Sequence, residues 1–222
     1  MLFSKKRQPT SPPLSLNIDG CELAMVKQTK YLGVLLSSEM SWTPHATSIC
    51  AKTRKLVGLL YRRFYKWTDK HTLLALYIAY VRPHLEYCAC VWDLYLVKDV
   101  DLLESVQKFA LKVCCKQWSS PYEDLLEISR LSSLQARREA ARLVYMYKLV
   151  HKLVDFQEAP IQYRPPLPYG TRHRNLLDLN PFQCRTSKFL NSFFPRTSSS
   201  WNRLTTDTVT TSSIMSFKCT IT

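Results

Sequence analysis

"KYLGVLLSSEMSWTPHATSICAKTRKLVGLLYRR", residues 30–63, decides the fold class, because the hydrophobic period changes inside it. "KYLGVLL" is a short, mostly apolar run of strand length. Ahead of it, "LSLNIDGCELAMV" at 14–26 carries a hairpin signal, with Asp19-Gly20 as the turn between two apolar runs. From Thr43 the spacing becomes helical. Thr43 is placed to cap, Pro44 takes the first helical position where its missing N–H costs nothing, and Ile49, Leu56, Leu60 and Phe64 recur as the expected core face.

The helical pattern then continues. A second helix is expected from Asp69 through "LLALYIAYV" to a kink or break at Arg82-Pro83, since proline removes a backbone donor and crowds the preceding turn. A third, about 99–118, opens with Asp99, Asp101 and Glu104 and closes with Lys108, Lys112 and Lys116, an order that complements the helix dipole. "YEDLLEI" makes a short segment, and 132–154 makes a helix with Leu134, Ala141, Val144, Tyr145 and Leu149 as its apolar stripe. "APIQYRPPLPY" concentrates prolines into a semi-rigid linker. The expected fold is therefore mainly α: a small N-terminal antiparallel β segment over 1–42, a helical bundle over 43–158, a Pro-rich linker over 159–175, and an irregular, Ser/Thr-rich appendage over 176–222 with one short helix.

A net charge of +14 on 222 residues exceeds what solubility needs and points to a polyanionic partner, nucleic acid before a membrane surface. The most apolar window, 73–92, is interrupted by Arg82, Pro83, His84 and Glu86, and "MLFSKKRQPTSPP" lacks the apolar core of a signal peptide. No membrane partner and an intracellular site, nuclear or cytoplasmic, are the expectations. The eight cysteines then read as free, mostly buried thiols. A zinc reading would draw on His84, Cys88, Cys90 and Cys114-Cys115, but no CxxC is present, and no metal site or cofactor is expected.

Enzyme chemistry finds little to use. Four glycines form no phosphate loop, and no HExxH, GxSxG or paired-carboxylate motif occurs. His45, His71 and His151 read as surface or half-buried side chains and not as bases. Charge placement says more: between Met40 and Thr68 stand Lys52, Arg54, Lys55, Arg62, Arg63 and Lys66 with no acid among them. Lys52, Lys55, Arg62 and Lys66 share a helical face opposite the apolar stripe, a row suited to a phosphate backbone. Arg137, Arg138, Arg142, Lys148 and Lys152, with Glu139 alone among them, form a weaker second candidate.

Taken in order, the quoted 30–63 stretch, "LYIAYVRPHLEYCACVWD", "LLESVQKFALKVCC" and "FFPRTSSSWNRL" resemble the C-terminal part of the reverse transcriptase of jockey-like non-LTR (LINE-type) retrotransposons. The resemblance implies that the β segment is the end of the palm, that Tyr31, Leu32, Gly33 and Val34 form the primer grip, and that the basic bundle is the thumb, holding template–primer through its backbone. In that family the polymerase centre lies upstream and includes a Tyr-x-Asp-Asp turn holding two cations; no such turn occurs in these residues. The expectation is a non-catalytic fragment with no catalytic residues. It would bind RNA–DNA hybrid or duplex without sequence preference, with the remaining palm and fingers as a partner in trans. The rivals are an independent nucleic-acid module, a helical protein-docking domain, and a truncated retroelement product without function.

Overall fold

The computed structural model describes residues 17–22, 24, 26–156, 160–165 and 177–221; the first sixteen residues and most of the Pro-rich linker lie outside that set. The described chain is mainly helical with two small antiparallel sheets. Strands β1 (Asn17–Ile18) and β2 (Cys21–Glu22) pair about Asp19 (φ 51°) and Gly20 (φ 81°), the expected two-residue hairpin. "KYLGVLL", expected as one strand, is instead a second hairpin. Strands β3 (Gln28–Tyr31) and β4 (Val34–Ser37) pair in antiparallel register, with Tyr31 opposite Val34. Leu32 (φ 45°) and Gly33 (φ 86°) form the turn. Both central residues are left-handed, which gives the twist that joins two right-twisted strands tightly.

Helix α1 (Thr43–Phe64) follows, with Pro44 in its first turn. Thr43 is not the cap: Trp42 holds that position without a side-chain bond, and the Thr43 hydroxyl donates to Asp99 Oδ2 at 2.7 Å. The buried face is His45, Ala46, Cys50, Thr53, Val57 and Leu60, while Phe64 is exposed and Ile49 and Leu56 are half-buried. The expected stripe was thus rotated by about one residue, because small side chains let β4 and the other helices approach where larger ones would not.

The second helix begins where expected: Asp69 caps α2 (Lys70–Leu76), accepting from the His71 and Thr72 N–H groups. Pro83 does not break the rod. A π-helical turn, Tyr77–Val81, precedes α3 (Arg82–Glu86), and the Arg82 N–H reaches back to the Tyr77 carbonyl, so the chain absorbs the proline by widening one turn. Helix α4 (Val97–Cys115) ends on left-handed Lys116. Its acids serve tertiary contacts as well as the dipole. Asp99 takes the Thr43 hydroxyl, and Glu104 accepts from the Leu134 and Gln135 N–H groups and, at 2.5 Å, from the Tyr122 hydroxyl.

Helices α5 (Tyr122–Ser129) and α6 (Leu134–Val150) complete the bundle. Contacts at both ends, Thr43 to Asp99 and Tyr65 to Trp118, make α1 and α4 parallel. Helix α2 and the π-helical turn pack against this pair, the Tyr77 hydroxyl donating to Gln107 Oε1 at 2.7 Å. One buried cluster gathers Val57, Leu73, Tyr77, Leu111 and Leu125; a second gathers Val34, Ala46, Leu85, Trp92 and Leu103.

The appendage departs from expectation. It holds α7 (Ser187–Leu190), α8 (Phe193–Trp201), α9 (Thr206–Val209) and α10 (Ile214–Ile221), and its Trp201, Val209 and Phe217 are fully buried against Leu143, Met146 and Tyr147 of α6. The Ser/Thr content that reads as irregular supplies helix caps. Thr186 and Thr205 each accept the N–H three residues on, which is the role short polar side chains play at helix starts.

His45, expected at or near the surface, is buried: its Nδ1 accepts the Leu35 N–H at 3.1 Å and its ring meets Trp92 edge-on at 4.6 Å. Burial, then Arg138 and Lys30, lower its pKa. The unfolded chain therefore takes up a proton first on acidification, so stability present above the ordinary histidine range falls as pH drops through it. Urea unfolding at pH 7.5 and 5.5 is expected to show this loss, and His45→Asn, which keeps the acceptor but not the titration, to remove the part due to this ring. An equal loss in the variant would put the acid sensitivity elsewhere.

Candidate nucleic-acid interface

The cores that bury Ala46, Cys50, Thr53, Val57 and Leu60 fix the rotation of α1, and with it the direction of every cation on the helix. Lys52, Arg54, Lys55, Arg62, Arg63 and Lys66 are all exposed, Lys66 just beyond the helix end. Among the described residues none of the six joins an ion pair. Arg54 alone is tethered, donating from Nη2 to Ser105 Oγ at 2.8 Å, which holds it over the α1–α4 seam. From Lys52 to Arg62 the row covers about 15 Å at 1.5 Å per residue. Lys52 stands beside α3, where its charge adds to burial in lowering the pKa of His84.

The four grip-like residues divide. Val34 is buried in the second core cluster, whereas Tyr31 and Leu32 project at the hairpin tip, 66% and 73% exposed. Gly33 sits against Tyr87. A Cβ there would lie 3.3 Å from Tyr87 Cε1, and the Tyr87 hydroxyl donates to the Leu32 carbonyl at 3.0 Å, pinning the tip to the end of α3. Gly33→Val joins an unfavourable left-handed backbone to that close contact. A loss of about 1–3 kcal/mol is expected in urea unfolding, and unchanged stability would rule out this turn.

The second basic candidate loses its three arginines and keeps only half-buried Lys148 and exposed Lys152. Arg137 pairs bidentately with Glu86, and Arg138 and Arg142 turn inward to a single carboxylate, Asp93. Arg138 Nε lies 3.0 Å from Oδ1, and Arg142 Nε and Arg196 Nη1 lie 2.8 and 3.0 Å from Oδ2. Arg138 also donates to the carbonyls of Leu85 and Trp92, and its guanidinium stacks 4.1 Å from the Trp92 ring centroid. Burial pulls the pKa of both Arg138 and Arg142 down and Asp93 opposes it. These arginines lock α6 and α8 to the segment before α4 and are not a surface. One sequence signal was available: Arg138 and Arg142 continue the i, i+4 row that runs from Leu134 to Met146, so they occupy core positions.

The cysteines are free, but only Cys50 and Cys114 are fully buried, and Cys21 and Cys219 are exposed. Burial pushes the Cys50 thiol up to about 11 and the Cys114 thiol up to about 12, so both stay protonated and unreactive near neutral pH. Among the described residues no three His, Cys, Asp or Glu side chains come together in a way that could hold a metal ion. Nor is any helix of those residues long and apolar enough to cross a membrane. His71 is exposed, and half-buried His151 places Nε2 2.9 Å from the Val209 carbonyl. Compared with protein-family models, curated proteins and solved structures, the chain matches none.

Proposed function

We propose that this chain binds the backbone of nucleic acid without reading its sequence, in the manner of the thumb-side part of a non-LTR retrotransposon reverse transcriptase, and performs no polymerisation itself. The observation that carries this is the cation row of α1: five exposed charges on an element fixed by two cores and a sixth, Lys66, just past its end, with no acid along them. Such a row gains affinity by releasing condensed counterions, and phosphate contacts carry no sequence information. The hairpin tip at Tyr31 and Leu32 is the grip-like element, and the rest of a palm with its fingers is the partner expected in trans.

The test is fluorescence anisotropy of the purified chain with RNA–DNA hybrid and with DNA duplex of arbitrary sequence across a salt series. Similar affinities are expected, with log K falling against log salt at a slope of about −5 when six phosphates are neutralised. A folded chain that binds neither would overturn the proposal and leave protein docking as the use of this face.

A further inference from the structure

The cation row does not fade into solvent. It runs into a cluster of rings at the shared C-terminal end of the parallel helices α1 and α4. Tyr61 and Tyr65 lie 4.7 Å apart, Trp118 approaches them at 5.9 and 6.4 Å, and Trp118 Nε1 donates to the Tyr65 hydroxyl at 3.2 Å. Lys116 Nζ sits 5.3 Å over the Tyr65 ring. These contacts hold the cluster in shape while leaving its outer rings open to solvent. Trp118 remains 44% exposed, Tyr61 and Phe64 are also exposed, and Trp67, in the turn that follows α1, is 89% exposed.

An aromatic surface this open calls for an occupant, and the charges beside it say which kind. Across 61–70 and 112–118 stand Arg62, Arg63, Lys66, Lys70, Lys112 and Lys116 against one acid, Asp69, whose carboxylate already caps α2. A neutral apolar partner would leave those cations unmatched. An anionic strand with flat, unpaired bases satisfies both features, since its phosphates meet the lysines and arginines and its bases stack on the rings. A closed duplex offers the rings nothing except at its end.

We infer that the ring cluster of Tyr61, Tyr65 and Trp118 is a stacking platform for unpaired nucleobases, so that the chain prefers a duplex carrying a single-stranded extension to a blunt one. The inference rests on the backbone-binding reading of α1 and deepens it: α1 holds the paired region, and the platform receives the first bases beyond it.

The experiment compares anisotropy binding of a blunt RNA–DNA hybrid, the same hybrid with a three-nucleotide extension, and one whose extension is abasic, at constant salt. The extension is expected to raise affinity about tenfold, within what stacking of one or two bases supplies. The abasic extension should lose most of that gain, and indole fluorescence should be quenched by the base-bearing extension only. Trp118→Ala is expected to bring the ratio of extended to blunt affinity close to one, and Trp118→Phe to restore it; Trp118 is exposed and outside the buried core clusters, so the chain should still fold, which circular dichroism of the variant verifies. Blunt hybrid bound as tightly as extended would overturn the platform while leaving the α1 reading intact. An abasic extension as good as a base-bearing one would reduce it to more backbone contact and overturn it too. If neither blunt nor extended hybrid binds, the α1 reading itself fails and the platform with it.

Discussion

Replacing Lys55, Arg62 and Lys66 together with alanine is expected to weaken binding to an RNA–DNA hybrid on the order of a hundredfold near physiological salt and to flatten the salt slope by about 3. Three phosphates left without their cation, at a slope of about 0.9 each, account for both numbers. Hybrid and duplex should lose affinity alike if, as proposed, these side chains meet phosphates and not bases. All three side chains are exposed and none packs in a core cluster, so folding should survive, which circular dichroism of the same sample would verify. The control removes Lys27, Lys98 and Lys152, which are exposed on other elements and lower the net charge equally. If both triple variants lose the same affinity, the effect belongs to overall charge and α1 has no special role. If neither loses affinity, the face does not touch nucleic acid.

Asp93→Ala is expected to cost about 3–5 kcal/mol, the usual loss when one partner of a buried ion pair is removed. For a chain of this size that corresponds to roughly 10 °C or more in the unfolding midpoint. The reason is geometric. Among the described residues Asp93 is the one carboxylate that faces Arg138, Arg142 and Arg196 together, and Arg138 and Arg142 are at most 5% exposed. Without it, Arg138 keeps its two backbone acceptors, whereas Arg142 loses its ion-pair partner, and its Nη1 has no hydrogen-bond partner already. Adding Arg142→Met to Asp93→Ala should therefore recover part of the loss, since it removes the charge left stranded. A single variant within about 1 kcal/mol of the parent, or a double variant worse than the single, would show that the three guanidiniums do not depend on this carboxylate.

Much of the helical plan was legible because it is local. Asp69 announces α2 through its own hydrogen bonds, Pro44 marks the first turn of α1, and the acid-free run from Met40 to Thr68 is visible as composition. The misreadings were also local in origin. Leu32 is an unusual first residue for a tight turn, so "YLGV" reads as continuous strand although Gly33 supplies the positive φ that a hairpin needs. The row Ile49, Leu56, Leu60 and Phe64 follows size; of it Leu60 is buried, Ile49 and Leu56 are half-buried against the cores and Phe64 is exposed, while the smaller Ala46, Cys50 and Thr53 are buried. In the appendage, threonines that look like loop residues cap helices.

By itself the amino-acid sequence determined where the bundle helices fall and how many cations α1 carries, since helical period and first-turn signals such as Pro44 and Asp69 act over three or four residues and need no distant partner. Tertiary structure decided which cations remain available. Arg137, Arg138 and Arg142 have the same side chain as Arg62 and Arg63, yet they meet Glu86 and Asp93, between 45 and 51 residues away in sequence, and Arg196 reaches the same aspartate from still further. Spacing along the chain cannot encode such a meeting. It follows from burial of Leu85, Trp92, Leu134 and Trp201, which brings α6 and α8 onto the segment before α4 and turns one set of arginines into a core lock. The lysines and arginines of α1 point away from its buried face or flank it, and stay exposed.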